Sequence, residues 1–319
     1  MLLPFVVACS IFSKDSDTGN TGSDADERPW KSAPVVGLSS GECPDMSVSG
    51  QTVDFLSSGE ERTVTVVFPT TPQPEMRVVF FYHGLMDPTS TPNPTGYMAN
   101  ALNFQSIADE YNALIFLPES TIWNLAGQEF YLWSIEDGTY DNDLALFDDL
   151  RTCAHQTFEV DLDQLVSAGF SGGSLFNTIL YSERSETLAS VVEISGGADV
   201  EVPLYEELFA PYSTPDVAPP LLLISGGIDD LWPDASFPII NFDASTDLFE
   251  DNVLSDGGFV VRCRHDSGHT ITNKGLSIAI DWMTQHYYQE ESPYADDISD
   301  WSDWCEIPYG EIKRVNLFY

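Results

Sequence analysis

Seven short apolar runs, rich in β-branched and aromatic residues, recur along this chain with helix-patterned stretches between most of them, and no other feature limits its fold so strongly. The runs are Thr63–Phe68, Arg77–Tyr82, Ala113–Leu117, Leu165–Ala168, Ala189–Ile194, Leu221–Ile224 and Phe259–Arg262. Helical spacing is expected over 101–111, where Leu102, Phe104, Ile107, Ala108 and Tyr111 share one face. It returns over 143–158 through Leu144, Phe147, Leu150 and Ala154, and again over 174–185 and 274–288. Short, almost wholly apolar strands are those buried on both faces, so the alternation predicts an α/β fold: a mostly parallel sheet with helices on both sides.

Charge narrows the partners. Against 51 Asp and Glu the chain has 12 Lys and Arg, a formal net charge of -39. Binding to nucleic acid, or to anionic lipid by charge, needs clustered cations and is excluded as a main activity. The same density of one sign repels itself, so added salt is expected to stabilise the fold, as in a marine or otherwise salt-adapted exported protein.

Residues 1–12 are nearly all apolar, too short to span a bilayer, and read as a secretion-type segment. Within them Val6-Val7-Ala8-Cys9 resembles a bacterial lipobox, which implies membrane attachment through a lipidated Cys9; no basic residue precedes Lys14, and a simple cleaved signal is the alternative. Residues 13–34 are rich in Asp, Ser, Thr, Gly and Asn and are expected to form a disordered acidic tether, leaving 35–319 as a single folded domain. Without Cys9 four cysteines remain, Cys43, Cys153, Cys263 and Cys305, and an exported chain is expected to pair them in two disulfides. Three pairings are open, with Cys263–Cys305 slightly favoured by proximity.

The pattern G-x-S-x-G occurs twice. Gly37-Leu38-Ser39-Ser40-Gly41 has no strand before it and runs into Cys43-Pro44, so it is set aside. Gly169-Phe170-Ser171-Gly172-Gly173 follows an apolar run and opens an amphipathic segment, the strand-turn-helix setting in which a serine is forced into strained backbone and exposed as a nucleophile. A serine hydroxyl needs a base. Of the five histidines, His155 and His286 read as ordinary helix residues, while His265 and His269 share the loop after Phe259–Arg262; His269, in Gly268-His269 just ahead of the last helix, is favoured. The order Ser171, aspartate, His269 resembles that of the α/β-hydrolase superfamily, and the match covers roughly residues 60 to 285.

That resemblance implies more. Ser225-Gly226-Gly227-Ile228-Asp229-Asp230-Leu231-Trp232-Pro233 is similar to the G-x-x-D-x-x-V-P loop bearing the triad acid, which assigns the acid to Asp229 with Asp230 as the alternative. His83-Gly84 after Arg77–Tyr82 implies an oxyanion hole from the backbone N–H groups of Leu85 and Gly172, with the His83 side chain shaping the loop. Within the superfamily, Trp133–Gly173 is most similar to the secreted poly(3-hydroxybutyrate) depolymerase and feruloyl esterase group. The similarity runs through Asp141-x-Asp143-Leu144-Ala145-Leu146-Phe147, Cys153 and Val160-Asp161-Leu162-Asp163-Gln164-Leu165-Val166. Leu85-Met86-Asp87-Pro88 departs from the small or cysteine-containing loop of that group. The resemblance implies hydrolysis of a small or polymeric ester through an acyl-enzyme, with no metal or organic cofactor. Trp123, Phe130, Tyr131, Trp133 and Trp232 lie on loops at the same sheet edge and are candidates for substrate contact. A prolyl-oligopeptidase-type peptidase and a non-catalytic surface binding protein with a degenerate hydrolase fold are the competing readings.

Overall fold

The computed structural model describes residues 28–308 apart from 126, 203–207 and 237. In chain order the elements begin with β1 (Gln51–Ser57), β2 (Glu60–Val67), β3 (Met76–Tyr82), α1 (Pro94–Ala101), α2 (Phe104–Tyr111) and β4 (Ala113–Pro118). A hairpin of β5 (Thr121–Leu125) and β6 (Gln128–Leu132) leads to α3 (Asp141–Thr157), β7 (Val160–Phe170), α4 (Gly172–Glu183), β8 (Ser190–Ile194) and β9 (Leu221–Ser225). The two-residue strands β10 (Leu231–Trp232) and β11 (Ile240–Asn241) precede α5 (Phe242–Ser255), β12 (Val260–Arg264), α6 (Asn273–Met283) and β13 (Cys305–Glu306).

Nine strands form one sheet in the order β1-β2-β4-β3-β7-β8-β9-β12-β13. The stretch from β4 to β12 is parallel throughout, and antiparallel pairs occur only towards the edges. Strand periodicity of two divides the apolar side chains between two cores. Val78, Phe80 and Tyr82 of β3 face one core with α3, α4 and α5; Val79 and Phe81 face the other with α1, α2 and α6. Strand β9 does the same, Leu221 and Leu223 against Leu222 and Ile224. All seven expected strands are present, and the expected parallel sheet covered on both faces is the observed one.

Two disulfides, Cys43–Cys153 and Cys263–Cys305, use the four remaining cysteines; the second joins β12 to β13 at opposed positions. The Asp141-x-Asp143 stretch opens α3. Buried Asp143 accepts from Arg62 at 2.7 Å and from the Ser134 amide at 2.9 Å, so a buried charge is neutralised and hydrogen-bonded.

The signal-type segment with Cys9 and the tether up to residue 27 lie outside the described residues. The rest of the expected tether, 28–34, is held on the domain, so its assignment as disordered does not extend to these positions. Arg28 pairs with Asp161, Lys31 with Asp163 at 2.9 Å, and the Ala33 amide donates to the Glu186 carbonyl at 2.8 Å. Arg151 reaches back to the Ala33 and Pro34 carbonyls. Acids at the start of β7 meet scarce cations here, which composition averaged over 13–34 hides.

Candidate active site

Strand β7 delivers Phe170 to a sharp turn and α4 leaves it at Gly172, with Ser171 between them at φ 57 and ψ -124. This is a costly conformation for a side-chain-bearing residue and persists because its surroundings enforce it. The Ser171 amide donates to the Ile194 carbonyl of β8 at 2.9 Å. Two glycines are sterically required: a Cβ on Gly169 would lie 2.6 Å from the Gly173 carbonyl carbon, and one on Gly173 would lie 2.2 Å from the Tyr82 carbonyl oxygen. Strand, turn and helix are thus packed backbone to backbone.

Ser171 Oγ stands 2.9 Å from His269 Nε2, and His269 Nδ1 stands 2.7 Å from Asp230 Oδ1. Asp230, not Asp229, completes the chain of three. The 3-10 turn Gly227–Asp229, with Gly227 at φ 69 and the Asp230 amide bonded to the Gly227 carbonyl at 2.8 Å, turns adjacent side chains opposite ways. Asp230 is 0% exposed, whereas Asp229 faces solvent on the far side of the loop, lining an open cavity of about 710 Å³ with Lys274 and Trp304. Fully buried, the Asp230 carboxylate is satisfied on its other oxygen by Ser195 Oγ at 2.8 Å and the Gly226 amide at 2.7 Å. Because an ionised carboxylate only accepts, the His269 proton sits on Nδ1 and leaves Nε2 free to take the serine proton.

Two phenyl rings also stack on the imidazole. Phe242 stacks on it with ring centres 4.4 Å apart, and Phe170 at 5.0 Å. These contacts fix the plane of the imidazole.

The loop after β3 crosses over the serine so closely that a Cβ on Gly84 would sit 3.0 Å from Ser171 Cβ. The Leu85 amide nitrogen lies 3.7 Å from where a Cβ on Gly172 would be, so the backbones of Leu85 and Gly172 stand side by side next to the hydroxyl. His83 fixes this loop with its ring: Nδ1–H donates to the Gly84 carbonyl at 2.7 Å and Nε2 accepts from the Ser120 amide at 3.2 Å. Burial pushes the His83 imidazole down from the ordinary 6.5 to about 4, so it is neutral there. Met86 pairs with Tyr131 of β6 through backbone bonds, tying the loop to the hairpin.

Of the three tryptophans expected to contact substrate, Trp133 does not fit that role. Trp133 is 1% exposed and belongs to the core: it stacks on Phe176 and its indole N–H donates to the His83 carbonyl at 2.8 Å. It supports the loop from beneath and has no surface for substrate. Trp123 on β5 is half-buried with its N–H on Thr121 Oγ1, and Trp232 on β10 is half-buried against the core. Both follow the carboxyl ends of parallel strands, the edge that carries Ser171.

The other histidines stand apart. His155 is exposed on α3; His286 lies beyond the end of α6, buried, and bonded to the Trp282 carbonyl and Ser292. His265 is buried edge-on to Trp304, with Nδ1 accepting from the Ser267 amide. Sequence reasoning missed Ser195, Phe242 and Leu132, whose Cδ1 comes within 3.6 Å of a Cβ position on Gly172. Phe242 had a signal in the spacing Phe242, Phe249, Val253; Ser195 had none.

Comparison with protein-family models and with curated proteins finds no match. Solved structures do resemble the chain. Native pOPH superposes with a TM-score of 0.63 at 17% identity over 84% of this chain and 97% of its own, and native sOPH with 0.63 at 17% over 83% and 97%. An S-formylglutathione hydrolase from Agrobacterium tumefaciens matches with 0.53 at 14% over 73% and 91%. With the sheet order and the serine turn, these likenesses establish that the chain has the α/β-hydrolase fold.

Proposed function

We propose that this protein is an exported serine hydrolase that cleaves carboxylic esters through an acyl-enzyme. The observation that carries this reading is the continuous hydrogen-bond chain from Ser171 through His269 to buried Asp230, with the serine in strained backbone. Ser171 Oγ attacks the ester carbonyl as His269 Nε2 takes its proton. Asp230 orients the imidazole and stabilises its cation, and the same proton then goes to the leaving alcohol. The amides of Leu85 and Gly172 stabilise the tetrahedral oxyanion; each such donor contributes about 3 kcal/mol in comparable sites. Water repeats the sequence on the acyl-enzyme.

Neighbours of the same fold include a named hydrolase, which favours hydrolysis over a purely binding role. The two disulfides fit an oxidising compartment. For the substrate, Leu132 beside the oxyanion amides and the rim aromatics Trp123 and Trp232 favour an apolar or aromatic ester, of polyester or hydroxycinnamoyl type.

A fluorophosphonate probe tests the reading. A single adduct on Ser171, with parallel loss of p-nitrophenyl ester hydrolysis, is expected; an adduct elsewhere, or hydrolysis that survives modification of Ser171, overturns it. A panel of p-nitrophenyl esters of graded chain length with a feruloyl ester then ranks the acyl groups.

A further inference from the structure

One buried acid takes no part in this chemistry. Glu193, on β8, is 1% exposed and ion-paired to nothing among the described residues. Its Oε2 accepts from the Gly197 amide at 2.7 Å. Its Oε1 lies 2.8 Å from Thr178 Oγ1, and that same hydroxyl lies 2.8 Å from the Gly197 carbonyl oxygen. A hydroxyl has one proton, and both a carboxylate and a carbonyl can only accept. A shared proton would leave two long bonds, and neither distance is long. The three contacts are all satisfied only when Oε1 carries a proton: Glu193 donates to Thr178, Thr178 donates to the Gly197 carbonyl, and the Gly197 amide closes the ring on Oε2.

The turn closed in this way holds the triad acid. Ser195 lies between Glu193 and Gly197 at φ 53, with its amide on the Ile224 carbonyl at 2.7 Å and its hydroxyl on Asp230 at 2.8 Å. Just before it, the Ile194 carbonyl receives the Ser171 amide. The turn has no slack: a Cβ on Gly196 would lie 2.3 Å from Glu193 Oε2, and one on Gly197 2.2 Å from the Ser245 carbonyl carbon of α5.

We propose that Glu193 is a neutral carboxylic acid at working pH and a positioning residue, whose protonated head closes the turn Ile194–Gly197 and so keeps Ser195 on Asp230. This rests on the reading of Asp230 as the triad acid. Full burial, with no charge partner, pushes the Glu193 carboxyl well above its ordinary 4.5, in agreement with the hydrogen-bond geometry. The ionisable groups on its neighbours are Tyr181 and Glu183 of α4, Asp243, Asp247, Glu250 and Asp251 of α5, Asp161 and Asp163 of β7, and Asp230. The cations Arg184, Arg262 and Arg264 are paired with Asp148, Asp243, Asp247 and Glu250.

Because an acid raised in the folded state stabilises fully only below its ordinary 4.5, the Glu193 contribution falls as pH rises above that value. Infrared difference spectra of the whole protein at pH 7 should contain a protonated-carboxyl C=O band that Glu193→Gln removes. Glu193→Gln, which can donate to Thr178 and accept from Gly197, should gain Tm on the wild type as pH rises above 4.5 and keep most of kcat. Glu193→Leu, which can do neither, should lower kcat about tenfold or more with little change in KM. A missing infrared band, or equal Tm slopes in wild type and Glu193→Gln, overturns the neutral acid. Full kcat in a folded Glu193→Leu overturns the positioning role; should Glu193→Leu not fold, full kcat in Thr178→Val, which breaks the same ring at its bridging hydroxyl, overturns it instead. The infrared and Tm readouts need no activity, so they stand even if the triad reading fails.

Discussion

Gly37–Gly41 and Gly169–Gly173 spell the same pentapeptide pattern, and both central serines form hydrogen bonds to side chains, yet they do opposite things. Ser39 donates to buried Asp149 at 2.5 Å, and its oxygen is capped by the Ser58 amide at 2.7 Å. The Ser39 amide at 2.7 Å and Ser57 Oγ at 2.6 Å donate to the same carboxylate, so the motif clips the N-terminal segment and the β1–β2 turn to α3. Ser171 meets an imidazole instead, and its oxygen stands beside the side-by-side backbones of Leu85 and Gly172. Under the proposed function, the difference is that the pattern alone does not make a nucleophile. A hydroxyl becomes one where its acceptor can carry the proton away, its lone pair stays open and donors await the oxyanion.

The largest break in this comparison is Ser171→Ala. On the order of a 10^6-fold loss of kcat is expected with the fold retained, because loss of a triad nucleophile costs about that much. A steady-state assay with a circular dichroism melt checks both halves. Next come the adjacent aspartates. Asp230→Asn should lower kcat about 10^4-fold, since an amide can hold the wrong imidazole tautomer, while Asp229→Asn should change it by less than about threefold. Equal losses at both positions would contradict the observed loop geometry.

These residues also mark how far sequence reached. The parallel sheet was legible because its strands are short, apolar and buried on both faces, and the serine turn because steric need for Gly169 and Gly173 leaves a written trace. The choice between Asp229 and Asp230 was not: a one-residue shift in a 3-10 turn reverses which side chain points inward, and both registers spell an acid. Trp133 was misread because an aromatic on a loop and one filling the core under it look the same in sequence. Helix α5, and Phe242 with it, is only weakly legible, its buried Phe242, Phe249 and Val253 being set among polar and acidic residues. Ser195 and Glu193 left no signal, since their roles arise from contacts across β8, β9 and α4.

A pH series separates the two regions in a third way. The Ser39 clip contains no imidazole, whereas the loop over Ser171 depends on neutral His83, and His286 sits buried behind α6. Both are lowered by burial from 6.5 to about 4. A base depressed in this way stabilises fully above 6.5, and the contribution is lost as pH falls through about 4. At about 1.4 kcal/mol per unit, each contributes roughly 3 kcal/mol. Relative to His286→Gln, the wild type should therefore lose Tm between pH 6.5 and 4; equal slopes in the two proteins would show that His286 is not a source of acid lability.

The smallest expected effect belongs to the first serine. Ser39→Ala removes one hydrogen bond to a buried carboxylate, but Asp149 keeps the Ser39 amide at 2.7 Å and Ser57 Oγ, so the charge is not stranded. The Ser58 amide loses its acceptor but lies at the exposed β1–β2 turn, where water can replace it. A cost of about 1–2 kcal/mol follows, a drop of a few degrees in Tm. kcat and KM should stay at wild-type values, because the clip touches neither the loop over Ser171 nor the turn that holds Asp230. A fall in kcat without a fall in Tm would mean that the two motifs are coupled, and the contrast between a structural serine and a reactive one would have to be redrawn.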